Sequence, residues 1–230
     1  MDDLVVAAPP ALITYYDDAT GERTALSAAQ LGEWAAASAA LLVEGCRLRR
    51  GDRAAVLLPP HWETAAVLLG AWSVGLEVSY QGWATAGLQK PGRYDVTFVA
   101  GSRVRSWLED PPRGDHQFVL GEPADGYRDW RGAVRPYLGA RPPVLLPGRD
   151  ERAGPDGTTF GEWSTIAAAI AQAHDIGPSD RVLVDAASSE QPVAWLLVPL
   201  MAGASVVLCA NLDRATLATR LTEERVTKVL

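Results

Sequence analysis

The sequence predicts an α/β fold built from two similar parallel β-α-β (doubly wound) subdomains related by an internal repeat. Three observations carry this. Residues 51–80 (GDRAAVLLPPHWETAAVLLGAWSVGLEVSY) lie without a gap on residues 179–208 (SDRVLVDAASSEQPVAWLLVPLMAGASVVL), 128 positions later, so that Asp52-Arg53 falls on Asp180-Arg181 and Gly75 on Gly203. Each copy runs strand, helix, strand, the order of a right-handed parallel crossover. The strand segments are apolar almost throughout, as strands covered on both faces are.

Taken in order, Ser27-Ala-Ala-Gln30 has the capping-box pattern, and the alanine- and leucine-rich run to Val43 continues as helix. Arg50-Gly51-Asp52 is a turn, Ala54 to Leu58 a buried strand closed by Pro59-Pro60, and Glu63 to Val74 a second helix. Gly75 supplies a left-handed cap before the strand Glu77 to Tyr80. In the second copy, Thr159 to His174 is helix, Gly177 to Asp180 turn, Arg181 to Asp185 strand, Pro192 to Ala202 helix and Ser205 to Cys209 strand. A last helix is expected from Asp213 to about Glu224, then a strand over Val226 to Leu230. Between the copies, Gln81 to Gly157 is rich in Pro, Gly, Arg and Asp, with short apolar pieces at Val96–Val99, Gln117–Leu120 and Val144–Leu146. Trp83, Trp107 and Trp130 mark this segment as folded connection. The expected division is 1–143 for the first subdomain with its connection and 144–230 for the second.

Composition narrows the function classes. The chain has 230 residues, 48% of them hydrophobic, and a net charge of −7. An acidic chain without a basic stripe is a poor partner for nucleic acid or an anionic membrane. The apolar run Val193 to Ala210 approaches the length of a membrane span, but Pro199, Gly203 and Ser205 interrupt it and favour a buried helix turning into a buried strand. Cys46 and Cys209 occupy non-equivalent places in the two copies and read as reduced cytoplasmic thiols. The three scattered histidines offer no metal-ligand spacing.

The run from Thr24 to Tyr80 resembles the start of the AMP-forming acyl-CoA synthetase, adenylation-domain and luciferase superfamily, with its "LTYAEL" helix start, "GDRVA" turn, "LPNSPEF" link and alanine-glycine turn. Residues 158–230 resemble a later part of the same N-terminal domain, through TTFGEW, Ser179-Asp-Arg-Val-Leu183, Pro199-Leu-Met-Ala-Gly-Ala204 and Thr222-Glu-Glu-Arg-Val-Thr227. The resemblance implies two similar α/β subdomains and, for the family, ATP-dependent activation of a carboxylate followed by transfer to a thiol. The family's phosphate loop, roughly [Ser/Thr]-Ser-Gly-Thr-Thr-Gly-x-Pro-Lys-Gly, falls here on Leu145 to Gly157, which carries Asp150, Glu151 and Asp156. Such a loop needs bare backbone N–H groups, hydroxyls and a lysine, and no lysine occurs between Lys90 and Lys228. Thr158 and Thr159 are the candidates for a nucleotide phosphate, with a helix N-cap as the competing role. The family's "P-x-x-H" stretch falls on Ala186 to Pro192, which has no histidine.

The resemblance therefore implies a non-catalytic relative of an acyl-CoA synthetase, with a small-molecule-binding or regulatory role. No cofactor is expected. ATP or AMP with magnesium enters only if the chain is half of a split acid-thiol ligase completed by another chain. Crevices at the carboxyl ends of parallel strands bind ligands by topology, which makes Arg181, Asp185, Ser188, Ser189 and Glu190 the candidate cleft residues; the duplicated Asp-Arg pair also reads as a turn-fixing device. An interaction or assembly module is the remaining alternative, with a homodimer or partner protein covering apolar surface near Val226, Val229 and Leu230.

Overall fold

The computed structural model describes residues 11–83, 92–106, 110–141 and 147–230. In chain order the elements are β1 (Ile13–Asp17), β2 (Glu22–Leu26), α1 (Ala28–Ala40), β3 (Arg53–Leu57), α2 (Trp62–Ser73), β4 (Glu77–Tyr80) and β5 (Tyr94–Ala100). There follow α3 (Gly101–Val104), β6 (Gly114–Leu120), β7 (Arg128–Asp129), α4 (Trp130–Val134), α5 (Phe160–Ala173) and β8 (Arg181–Asp185). The chain continues with α6 (Val198–Ala202), β9 (Ser205–Ala210), α7 (Leu217–Glu223) and β10 (Lys228–Val229). A π-helical turn, Leu41–Gly45, continues α1, and another, Val193–Leu197, leads into α6.

Ten strands form two five-stranded sheets. The first, ordered β4-β3-β5-β6-β7, is parallel throughout. The second, ordered β10-β8-β9-β1-β2, is parallel except for the β1–β2 hairpin. Elements 128 residues apart agree in type: β3 with β8, β4 with β9, and α2 with the Val193–Ala202 helical segment. Gly75 and Gly203 both take left-handed backbone, at φ +76° and +75°. The match has a local cause, since each helix must reverse into a strand within two or three residues and glycine does so without Cβ strain.

The hairpin was not anticipated from the sequence. It precedes residue 143, yet β1 pairs with β9 from Ile13↔Val206 to Asp17↔Ala210, so the chain before residue 143 supplies strands to both sheets. The apolar run Val193 to Ala210 is helical turn, short helix, left-handed Gly203 and strand. Among the described residues, no helix is long and apolar enough to cross a membrane. The expected last helix begins later than Asp213, at Leu217, because Asp213 caps a preceding turn by accepting from the Ala215 N–H (2.9 Å). The expected strand over Val144–Leu146 lies outside the described residues, as does Trp107.

One large apolar cluster joins the helices between the sheets: Leu42, Val67 and Leu68 of the first copy pack in it with Ala167, Trp195 and Leu196 of the second. Crossing α1 and α2 need close backbone approach. A Cβ on Gly70 would stand 2.6 Å from Ser38 Cβ and 2.8 Å from the Ala35 carbonyl oxygen.

Candidate functional site

The described part of the segment at the position of the family's phosphate loop, residues 147–157, folds as a tight hairpin-like turn before α5. Gly157, at φ +93°, lets the chain reverse, and Ala153 N–H donates back to the Thr158 carbonyl (2.8 Å). Ala153 is itself buried, and its carbonyl accepts from Val78 N–H (2.8 Å), so the loop covers the free edge of β4.

The groups that would hold a phosphate are occupied by the chain's own acids. Thr158 donates its N–H to Asp156 Oδ1 (3.0 Å) and its hydroxyl to Asp156 Oδ2 (2.9 Å). Thr159 caps α5 in a reciprocal capping box with Glu162, which accepts from the Thr159 N–H at 2.8 Å. Gly148 N–H donates to Glu151 Oε1 (2.7 Å), and Arg50 pairs with the same oxygen at 2.7 Å. The loop thus has the donor geometry of an anion cradle with carboxylates already seated in it.

The five candidate cleft residues do not form one group. Arg181 opens β8 and therefore lies at its amino end, away from the carboxyl-end crevice. Its guanidinium donates to Thr14 Oγ1 (2.8 Å), to the Ala11 carbonyl and Ser205 Oγ (3.3 Å each), and pairs with Glu224. That makes it a clamp between β8, β1 and the end of α7. Asp185 closes β8 and organises the next turn: its carboxylate accepts from Ala187 N–H (3.0 Å), and its carbonyl accepts from the N–H groups of Ser188 and Ser189 (3.1 Å each). Glu190 sits against Gly82, where an added Cβ would collide with Glu190 Oε2.

Beside that turn the structure opens a cavity of about 330 Å³ between the end of β4 (Ser79, Tyr80), the loop residues Gly154 to Asp156, and Gln191-Pro192. Trp72 and Trp163 also line it, and both line an adjoining apolar cavity of about 280 Å³ with Leu69, Phe160, Leu197 and Met201. Leu69 and Leu197 are counterparts at the 128-residue offset, which puts the second cavity on the seam between the two copies. The Trp72 indole N–H is buried and, among the described residues, has no hydrogen-bond partner. Among the described residues, no Lys or Arg lines either cavity. Burial, with Glu190 nearby, raises the Tyr80 phenol, whose hydroxyl donates to the Leu58 carbonyl (2.8 Å). Sequence reasoning missed this pair of cavities, since Trp72 and Trp163 read as ordinary helix residues until the helices are packed.

Among the described residues, no group of three or more His, Cys, Asp or Glu side chains is placed to hold a metal ion. Val226 packs against the face of the second sheet formed by Leu183, Val207 and Cys209, and Leu230 packs on the main cluster. Val229 is 58% exposed.

No protein-family model matches the chain. A "TIGR03089 family protein" of Mycobacterium tuberculosis (strain ATCC 25618 / H37Rv) is 38% identical over 232 residues, covering 95% of this chain and 90% of the relative. Three solved structures share the fold. A Mycobacterium tuberculosis fatty acyl CoA synthetase matches at TM-score 0.64 and 21% identity, over 94% of this chain and 45% of its own. A Brucella canis acyl-CoA synthetase matches at TM-score 0.72 and 17% identity, over 98% and 45%. The N-terminal domain of FACL13 from Mycobacterium tuberculosis matches at 0.66 and 17%, over 95% and 58%. The chain spans about half the length of these solved structures, and its fold is that of the N-terminal domain of acyl-CoA synthetases.

Proposed function

The chain belongs to the TIGR03089 family, and from that premise we propose that it binds a small molecule without forming an acyl-adenylate. The observation that carries this reading is the loop before α5. Both donors of Thr158 are spent on Asp156, those of Thr159 on Glu162, and the Gly148 N–H on Glu151. A triphosphate entering there would have to displace these carboxylates and then sit among them. Like charges a few ångströms apart in a partly desolvated site oppose that by several kcal/mol, on the order of what one such pair contributes at an intermediate dielectric.

The ligand site in this reading is the pair of cavities flanking Trp72 and Trp163. Their walls offer indole faces and the polar groups of Ser79, Asp156 and Gln191. With Asp156 on the wall and no basic side chain among the described lining residues, the site favours an uncharged aromatic or alkyl compound carrying a hydrogen-bonding group. We read the 128-residue correspondence as descent from one duplicated β-α-β unit, and the two free, buried cysteines as fitting a cytoplasmic protein.

Calorimetric titration with Mg·ATP and then AMP tests the loss of adenylation. No heat is expected at millimolar nucleotide, and pyrophosphate exchange with a panel of carboxylic acids is expected to stay at background. Micromolar nucleotide binding would overturn the reading and return Thr158 and Thr159 to the phosphate role. A second reading, assembly with a partner or a second copy over the β10 edge, draws its support from exposed Val229. Light scattering that returns a monomer at micromolar concentration would count against it.

A further inference from the structure

We propose that the cavity lined by Trp72, Trp163 and Asp156 takes an uncharged aromatic carboxamide and excludes the corresponding carboxylate. The ligand class rests on the reading above, that a small molecule occupies the cavities beside these two tryptophans.

The two copies differ where this cavity opens. In the first, α2 is regular helix from Trp62 to Ser73. Its counterpart in the second begins as the π-helical turn Val193–Leu197, in which the Val198 N–H donates five residues back to Val193. Pro199 is the local cause. It has no N–H to give the Trp195 carbonyl, and its ring crowds that group. Turns of this width inside a helix are frequent at functional sites. Gln191 and Pro192, just ahead of the turn, line the cavity, and so do Ser79 and Tyr80 at the end of β4.

The cavity holds about 330 Å³. A cavity of about 150 Å³ already takes a benzene ring, so there is room for a two-ring system with a short polar arm. The indoles of Trp72 and Trp163 favour a planar aromatic ring, because ring–ring contacts add to the gain from burial. Asp156 and Gln191 set the polar arm. Each Asp156 oxygen accepts one bond from Thr158 (3.0 and 2.9 Å) and keeps further acceptor capacity. Gly154, also on the wall, leaves the space beside Oδ1 open, since an added Cβ would stand 2.8 Å from that oxygen. Among the described residues, Asp156 belongs to no ion pair. Gln191 is exposed and brings an amide that can donate. An acceptor and a donor in one cavity match a primary carboxamide, whose N–H groups go to Asp156 and whose carbonyl accepts from Gln191.

Charge decides against the other head groups. Among the described residues no Lys or Arg lines the cavity. A ligand carboxylate would lose hydration with no cation to meet it, and would face Asp156. A ligand ammonium would lose hydration too, and Asp156, exposed to water, returns little for it, as surface ion pairs do.

The test is titration of the ¹⁵N-labelled full chain with naphthylacetamide, naphthylacetate and naphthylmethylamine. The amide is expected to shift the indole N–H signals of Trp72 and Trp163 and the Gly154 amide saturably, with the acetate and the amine binding about tenfold more weakly or worse. Asp156→Asn removes the charge and is expected to bring the acetate within about threefold of the amide. Gln191→Trp puts a ring into the cavity from its exposed side and is expected to abolish the shifts. Acetate or amine binding as tightly as the amide overturns the carboxamide class and leaves ligand binding at the tryptophans standing. Shifts that persist in Gln191→Trp overturn the location. No shift with any of the three at millimolar concentration also overturns the class. Xenon enters apolar cavities whatever head group they prefer, and its failure to move either indole signal would overturn the cavity reading itself.

Discussion

At the residue scale, two buried ionisable groups set how the protein responds to acid. His61 is an N-cap whose ring packs edge-on against Tyr15 at 4.3 Å. Burial lowers its pKa from 6.5 to about 4, so the neutral form is favoured in the fold and the unfolded chain takes up a proton first as pH falls. Its contribution is fully present above pH 6.5 and is lost between 6.5 and 4, on the order of 3 kcal/mol in all. His61→Asn keeps a capping side chain and is expected to flatten that part of a stability-versus-pH curve measured by urea titration. Burial alone would raise Glu224, but hydrogen bonds from Tyr16, Arg181 and Arg23 win and hold it at about 2. Its contribution is present above pH 4.5 and lost between 4.5 and 2. Arg181→Ala removes one of these bonds and the bond to Thr14, and is expected to cost about 2–3 kcal/mol by denaturant unfolding, the range for hydrogen bonds to charged groups. A ligand-binding Arg181 would instead leave stability nearly unchanged. The duplicated Asp-Arg pair was legible as a turn device in the sequence, whereas the reach of Arg181 to Thr14 was not, because 167 residues separate them.

At the element scale, α1, α2, α4 and α5 begin at side-chain caps. Ser27 and Thr159 each sit in a complete capping box, as their spacing to Gln30 and Glu162 predicts. Thr159→Ala is expected to cost about 1 kcal/mol and to leave nucleotide titrations unchanged, and a variant that altered ligand binding at constant stability would contradict the cap role. Gly203→Ala forces Cβ into left-handed backbone and within 3.3 Å of Pro178 Cβ, and about 1–2 kcal/mol of destabilisation is expected. Strand β8 was legible to the residue because its apolar run follows the turn at Asp180 directly, and β4 because Gly75 fixes where α2 gives way to strand. The hairpin β1–β2 was not. β2 (ERTAL) is an exposed edge strand with Glu, Arg and Thr, and β9, the other neighbour of β1, lies about 190 residues away from β1 in sequence.

At the scale of the whole molecule, the shared cluster between the sheets and the pairing of β1 with β9 tie both copies together. A single cooperative transition is therefore expected, with tryptophan fluorescence and far-ultraviolet circular dichroism tracing the same curve in urea. Two separated transitions would mean the copies unfold independently. The sequence by itself determined the class of fold, the β-α-β order of each copy and the acidic character of the loop before α5, because periodicity, caps and charge are local properties. Only the tertiary structure decided that Arg181 reaches Thr14 and Glu224, and that Trp72 and Trp163 line one cavity. Those facts depend on which side chains meet across the packed sheets and helices, and contacts between residues distant in the chain leave no periodic trace in it.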